Sequence, residues 1–151
     1  MYKKMQKTKG FTIIELIVVV AIIAVLAAIV SINVVSYLNK GKNAAIKENL
    51  STAQTIMVAM IDSGTTFANA CTVTTTELYK AYTAATTAAG TATGSTCVTT
   101  GTVGGTGCVC VKLLAETNNF CVDSVGNKGV FASTTTCATE CTDNVCDGDG
   151  T

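Results

Sequence analysis

Residues 9–30 read KGFTIIELIVVVAIIAVLAAIV, a run whose apolar stretch is broken by a single charge, Glu15. From Leu16 to Asn39 no residue is charged, and Leu16–Val30 is apolar throughout. At about 1.5 Å of rise per residue, a helix of this length covers the roughly 30 Å hydrocarbon core of a bilayer. Lys3, Lys4, Lys7 and Lys9 all precede the run and the next lysine is Lys40, a bias that puts the N-terminus in the cytoplasm and the rest outside. A carboxylate at the depth of Glu15 costs roughly 2.5–3.5 kcal/mol on insertion scales, so it needs a partner. A cut between Gly10 and Phe11 would supply one. The new α-amine would lie one helical turn before Glu15, on the same face.

Two plainer readings compete. A buried core helix needs a large domain to enclose it, and nothing downstream is large enough. A secretory signal peptide fits the basic start and the small residues Ala27 and Ala28, but not a carboxylate inside its apolar region. The membrane anchor is the stronger reading.

Composition narrows the function classes. The 151 residues have a formal net charge of zero, ten basic against ten acidic, with no histidine. Removing residues 1–10 takes away four lysines and no acid, which leaves an acidic remainder. That argues against a dedicated nucleic-acid surface, which needs clustered Lys or Arg. Without histidine the commonest general base and metal ligand is missing, so only Ser and Thr remain as candidates for a hydrolase nucleophile. An enzyme is not the expected class.

The stretch Lys9-Gly10-Phe11-Thr12-Ile13-Ile14-Glu15-Leu16, followed by VVVAIIAVLAAI, resembles the leader and N-terminal helix of bacterial type IV pilins and type II secretion pseudopilins. The resemblance covers about the first third of the chain. It implies a prepilin with a class III leader that a membrane-embedded prepilin peptidase cuts after Gly10 and N-methylates at Phe11. It also implies that Glu15 is the carboxylate used in subunit docking, and that the partners are identical or related pilin subunits and the inner-membrane assembly machinery. The family commonly carries a proline near the position of Ile32, whereas this chain contains none.

Beyond the membrane the helical pattern continues. Ile46, Leu50, Ala53, Met57 and Met60 recur at spacings of three and four, with Ile61 beside them, while Lys42, Lys47, Glu48 and Gln54 take other faces. This predicts one helix from about Phe11 to Asp62, roughly 75–80 Å long, stopped by Ser63-Gly64. Two helices hinged at Gly41 are the alternative. Thr74-x-x-Glu77 has the form of a capping box, so a second short helix is expected over Leu78, Tyr79 and Tyr82. The Thr, Ala and Gly composition of Thr83–Gly107 reads as an exposed loop held by crosslinking. Cys108–Leu114, Asn119–Asp123 and Gly129–Ser133 are short, β-prone and separated by turn residues, which predicts a three-stranded antiparallel meander on the helix stripe.

Eight cysteines hold that head together: Cys71, Cys97, Cys108, Cys110, Cys121, Cys137, Cys141 and Cys146. An even number in an exported domain poor in large apolar residues reads as disulfides, each contributing about 2–4 kcal/mol. Cys108 and Cys110 share one face of a strand and should have different partners. Sequence leaves the connectivity open. Cys71–Cys97 and a pairing among Cys137, Cys141 and Cys146 are the guesses. Zinc is the rival, but no CxxC is present and the compartment is oxidising. The tail residues Asp143, Asp147 and Asp149 are weak calcium candidates, since they lack the ligand spacing of an EF-hand, and a solvated acidic end is the plainer reading. No metal or cofactor is otherwise called for.

The expected fold class is α+β. A leader over residues 1–10 is followed by a transmembrane and assembly helix over 11–39, an amphipathic continuation over 40–62 and an extracytoplasmic disulfide-rich head over 63–151. The expected function is a structural subunit of a type IV pilus or type II secretion pseudopilus. The alternative is a membrane-tethered extracellular binding module that never polymerises; it explains the anchor and the disulfides but leaves Glu15 without a purpose.

Overall fold

A computed structural model describes residues 10–90, 94–101, 104–116, 118–132, 136–141, 145 and 146. Leader residues 1–9 and the calcium candidates Asp143, Asp147 and Asp149 lie outside these. The chain divides into two compact units, Met1–Tyr37 and Leu38–Thr151.

Helix α1, Ile13–Asp62, spans 50 residues and belongs to both units. Among the described residues it is the one helix long and apolar enough to cross a membrane. In the first unit its apolar side chains are exposed, for example Ile14 at 72 % and Leu26 at 56 %, so this surface has no polar face to offer water. In the second unit α1 passes Gly41 without a break, so the hinged alternative does not hold there. α1 ends as the sequence predicts. Gly64, at φ 65°, donates to the Ile61 carbonyl and Thr65 to that of Met60, the paired bonds of a Schellman stop that favours glycine.

In the second unit a four-stranded antiparallel sheet runs in the order β1 (Thr96–Thr99), β2 (Gly107–Lys112), β3 (Asn118–Asp123), β4 (Lys128–Ala132). Four strands replace the expected three. The extra strand β1 falls in the stretch read as a loop, as does the end of helix α2, Glu77–Ala89. Composition misled here because that stretch lacks large apolar residues. Alanine is nonetheless the best helix former and Thr-Cys-Val-Thr is β-prone, so each segment needs only a neighbour to pack against. The start of α2 also differs. Thr76, not Thr74, caps it, accepting from the Tyr79 N–H at 3.3 Å, and Glu77 is the first helical residue, bonding Lys80 at 2.7 Å on the surface.

Strands β2 and β3 are buried on both faces, and their alternation sorts residues into two layers. Val109 pairs with Val122 and Val111 with Phe120. These four meet Ile46, Leu50, Ala53 and Met57 of α1 and Leu78, Ala81 and Ala85 of α2 in one apolar core. The predicted helix stripe is therefore the core face. On the opposite sheet face Cys108, Cys110 and Cys121 meet Cys137, Cys141 and Cys146, with Val98 of β1 and Phe131 of β4 at the sides. Cys137 opens a short helix, α3 (Cys137–Glu140), and Cys141 follows it. A layer of cystine thus covers the face where a larger protein would place a second set of helices.

Candidate functional site

The N-terminal segment is built from the start of α1. Gly10, Phe11 and Thr12 are non-helical and exposed, Phe11 at 88 %. Among the described residues, no atom apart from Gly10 itself and its chain neighbours lies within 4 Å of where a Gly10 side chain would begin. The Gly10–Phe11 bond thus lies in open, irregular backbone immediately before a regular helix.

Glu15 does not stand unpartnered. Its Oε2 accepts from the Thr12 backbone N–H and from the Thr12 hydroxyl, both at 2.8 Å, while the Glu15 N–H donates to Thr12 Oγ1 at 3.3 Å. This is the reciprocal pattern of a capping box, Thr-x-x-Glu, and it satisfies two backbone donors that a helix start leaves orphaned. Sequence reasoning looked for that signature at Thr74–Glu77 and overlooked it at Thr12–Glu15. In the uncut chain Glu15 is therefore held by its own helix. Near the other end of the apolar run, Ser31 and Asn33 donate to the carbonyls of Ala27 (2.8 Å) and Ile29 (3.3 Å), each satisfying itself one turn back.

In the second unit all eight cysteines are paired: Cys71–Cys97, Cys108–Cys141, Cys110–Cys137 and Cys121–Cys146. Cys71–Cys97 joins the two residues that sequence alone had paired. The expected pairing within Cys137, Cys141 and Cys146 is not made, because each reaches instead to a different cysteine of β2 or β3. Cys108 and Cys110 have separate partners. The Sγ atoms of Cys108, Cys121 and Cys146 lie within 4.8 Å of one another, but all three are engaged in disulfides and offer no thiolate to a metal.

Asp123 fastens this layer to the β3–β4 turn. It is fully buried, and its Oδ1 accepts from the backbone N–H of Val125 (3.0 Å), Gly126 (2.9 Å) and Asn127 (2.7 Å). Its Oδ2 accepts from Asn127 Nδ2 and the Cys146 N–H, each at 2.9 Å. One carboxylate thus closes the hairpin and holds the last cystine.

Residues 5–31 match the family model described as the prokaryotic N-terminal methylation motif. No curated protein and no solved structure matches the chain. The motif supports the type IV pilin and pseudopilin family and, with it, a pilin-like precursor with a class III leader. The motif suggests pilin-type subunits and a prepilin peptidase as classes of partner. Motif and apolar helix together fit a membrane-anchored precursor.

Proposed function

We propose that this protein is a structural subunit of a type IV pilus or type II secretion pseudopilus. In this reading it inserts as a single-pass precursor with the lysine-rich leader in the cytoplasm and the cystine head outside. Prepilin peptidase cuts after Gly10, Phe11 becomes the N-methylated first residue, and the chains polymerise through the Phe11–Val35 segment into a helical filament. The observation that carries the reading is Glu15, a lone carboxylate one turn from the amine that cleavage would create, in a helix whose surrounding apolar surface is exposed.

The physical logic is one of exchange. Before cleavage the Glu15 carboxylate is bonded to Thr12. Cleavage adds a positive charge at Phe11, and packing among identical neighbours removes the apolar surface from lipid. A neighbouring α-amine then answers Glu15 in the correct register, while a wrong register leaves a charge buried alone, which is strongly unfavourable. Glu15→Ala tests this. Processing should continue, seen as a normal size shift, while sheared filaments fall by an order of magnitude or more. Normal filaments from that variant would overturn the docking role.

A further inference from the structure

Positive charge in the second unit gathers at the end where α1 enters it. After the leader the chain keeps six lysines, and four of them, Lys40, Lys42, Lys47 and Lys112, lie at this end. Lys40 is the first charge after Glu15 in the sequence. Lys42 and Lys47 flank the packed face of α1 that carries Asn43, and Asn43 bonds Leu114 in the β2–β3 turn. Lys112 is the last residue of β2 before that turn. The Lys47 ammonium stands 5.9 Å from the centroid of the Phe120 ring, within cation–π range, so it is held against the sheet. Lys42 and Lys112 are exposed. The acids at this end are Glu48 and Glu116, and Glu116 is engaged by the Asn43 amide. Among the described residues none of Lys42, Lys47 and Lys112 forms an ion pair. The balance reverses at the other end of the sheet, where Asp62 and Asp123 stand with Lys128 about the β3–β4 turn.

We propose that these lysines form a collar that binds the anionic phospholipid headgroups of the leaflet from which α1 emerges. The proposal rests on the membrane-anchored reading above, since the chain itself delivers the collar to the headgroups. Continuity selects lipid over other anions. Leu16–Asn39 carries no charge, so Lys40 and Lys42 fall where hydrocarbon gives way to headgroups. Tyr37, exposed just before them, is of the residue type enriched at that depth. Lysine suits the task, because its long stem lies along apolar surface while the ammonium reaches a phosphodiester oxygen. Each lysine held near an anionic surface adds an attraction that salt screens.

Cleavage raises the weight of the collar. Removing residues 1–10 takes four lysines from the opposite side of the membrane. The collar then supplies the main basic hold on the bilayer, and a reversible one. It keeps a processed subunit seated until polymerisation draws it out.

Amine footprinting of the full chain in proteoliposomes tests this. The vesicles are phosphatidylcholine alone, or phosphatidylcholine with phosphatidylglycerol as the minor component. Acetylation rates by a membrane-impermeant reagent are read by peptide mass spectrometry, with Lys128 as the internal standard. Anionic vesicles should slow Lys42, Lys47 and Lys112 about fivefold and leave Lys128 unchanged. High salt should abolish the protection. In the Lys42→Gln, Lys112→Gln double variant the protection of Lys47 should fall. Equal rates in the two vesicle types would overturn the proposal. So would equal protection in neutral vesicles given inorganic phosphate, which assigns the collar to a free anion. Protection that rises with protein density in neutral vesicles would overturn it too, assigning the collar to the acidic surface of a second copy. Flotation after a carbonate wash separates the collar from the anchor. A chain that stays in the vesicles while its lysines label equally defeats the collar alone, whereas a chain that washes out defeats both.

Discussion

Asn43 and Leu114 exchange two hydrogen bonds: Asn43 Nδ2 donates to the Leu114 carbonyl at 3.0 Å, and Asn43 Oδ1 accepts from the Leu114 N–H at 2.8 Å. The amide also reaches Glu116 Oε1 at 3.2 Å. Further along α1, Gln54 Nε2 donates to the carbonyls of Asp123 (3.3 Å) and Asn127 (2.9 Å). These two side chains lie about 16 Å apart along the helix, a spacing that matches the span of β3 between its flanking turns. Apolar contacts are non-directional, so it is these amides that fix the axial register of sheet against helix.

Asn43→Ala removes the partners of both the N–H and the carbonyl of half-buried Leu114 in the β2–β3 turn. A buried donor or acceptor left unmade costs about 1–3 kcal/mol, and partial access of water reduces that, so the substitution should lower unfolding stability by about 1–2 kcal/mol. Urea unfolding with the disulfides intact measures this as a lower midpoint at unchanged slope.

Asp123→Ala strips the β3–β4 turn and Cys146 of their acceptors, and a loss of about 3 kcal/mol or more is expected. Asp123→Asn keeps the shape and one acceptor oxygen but points an amide donor at other donors. It should fall between the parent and the alanine variant in the same titration.

Gly107→Ala would place a Cβ 3.1 Å from Met57 Sδ and 3.2 Å from Thr99 Cγ2, inside the core between α1 and β1. Overpacking of this kind costs about 1–3 kcal/mol. Gly129→Ala serves as the control. The atoms nearest its Cβ belong to the half-buried Phe131 ring, at 3.2 Å, which can turn aside, so a change below about 1 kcal/mol is expected in thermal unfolding.

The readable parts of this molecule are those whose signal is local. The stripe Ile46, Leu50, Ala53 and Met57 repeats at the helical period and proved to be the core face, and Ser63-Gly64 announced the stop of α1. What was missed depends on distant partners. Asn43 and Gln54 bind residues about seventy positions away, and Asp123 reaches Cys146. β1 is a strand because β2 lies beside it and Cys97 is tied to Cys71, neither of which its Thr-rich composition reveals. Apart from the Cys71–Cys97 pairing, cysteine connectivity was closed to sequence for the same reason. The Thr12–Glu15 cap is different, since its Thr-x-x-Glu signature was present in the sequence and was overlooked.

Calcium bears on the acidic tail. Asp143, Asp147 and Asp149 lack the spacing of a preformed cage, and the head is already crosslinked by four disulfides. A ligand that binds the folded state raises its melting temperature. Millimolar calcium or a chelator should therefore leave the melting temperature of this protein unchanged.

Gly10 sits in open backbone, so a bulky replacement such as Gly10→Leu costs the fold little. If the proposed cut after Gly10 depends on a small residue there, the replacement should nonetheless block processing, and the variant should accumulate as an unshifted band.

The most direct test is the N-terminal sequence and mass of the protein extracted from membranes. A chain beginning at N-methylated Phe11 is the predicted result. A chain that still begins at Met1 would contradict processing and assembly together and would leave a membrane-tethered module in their place.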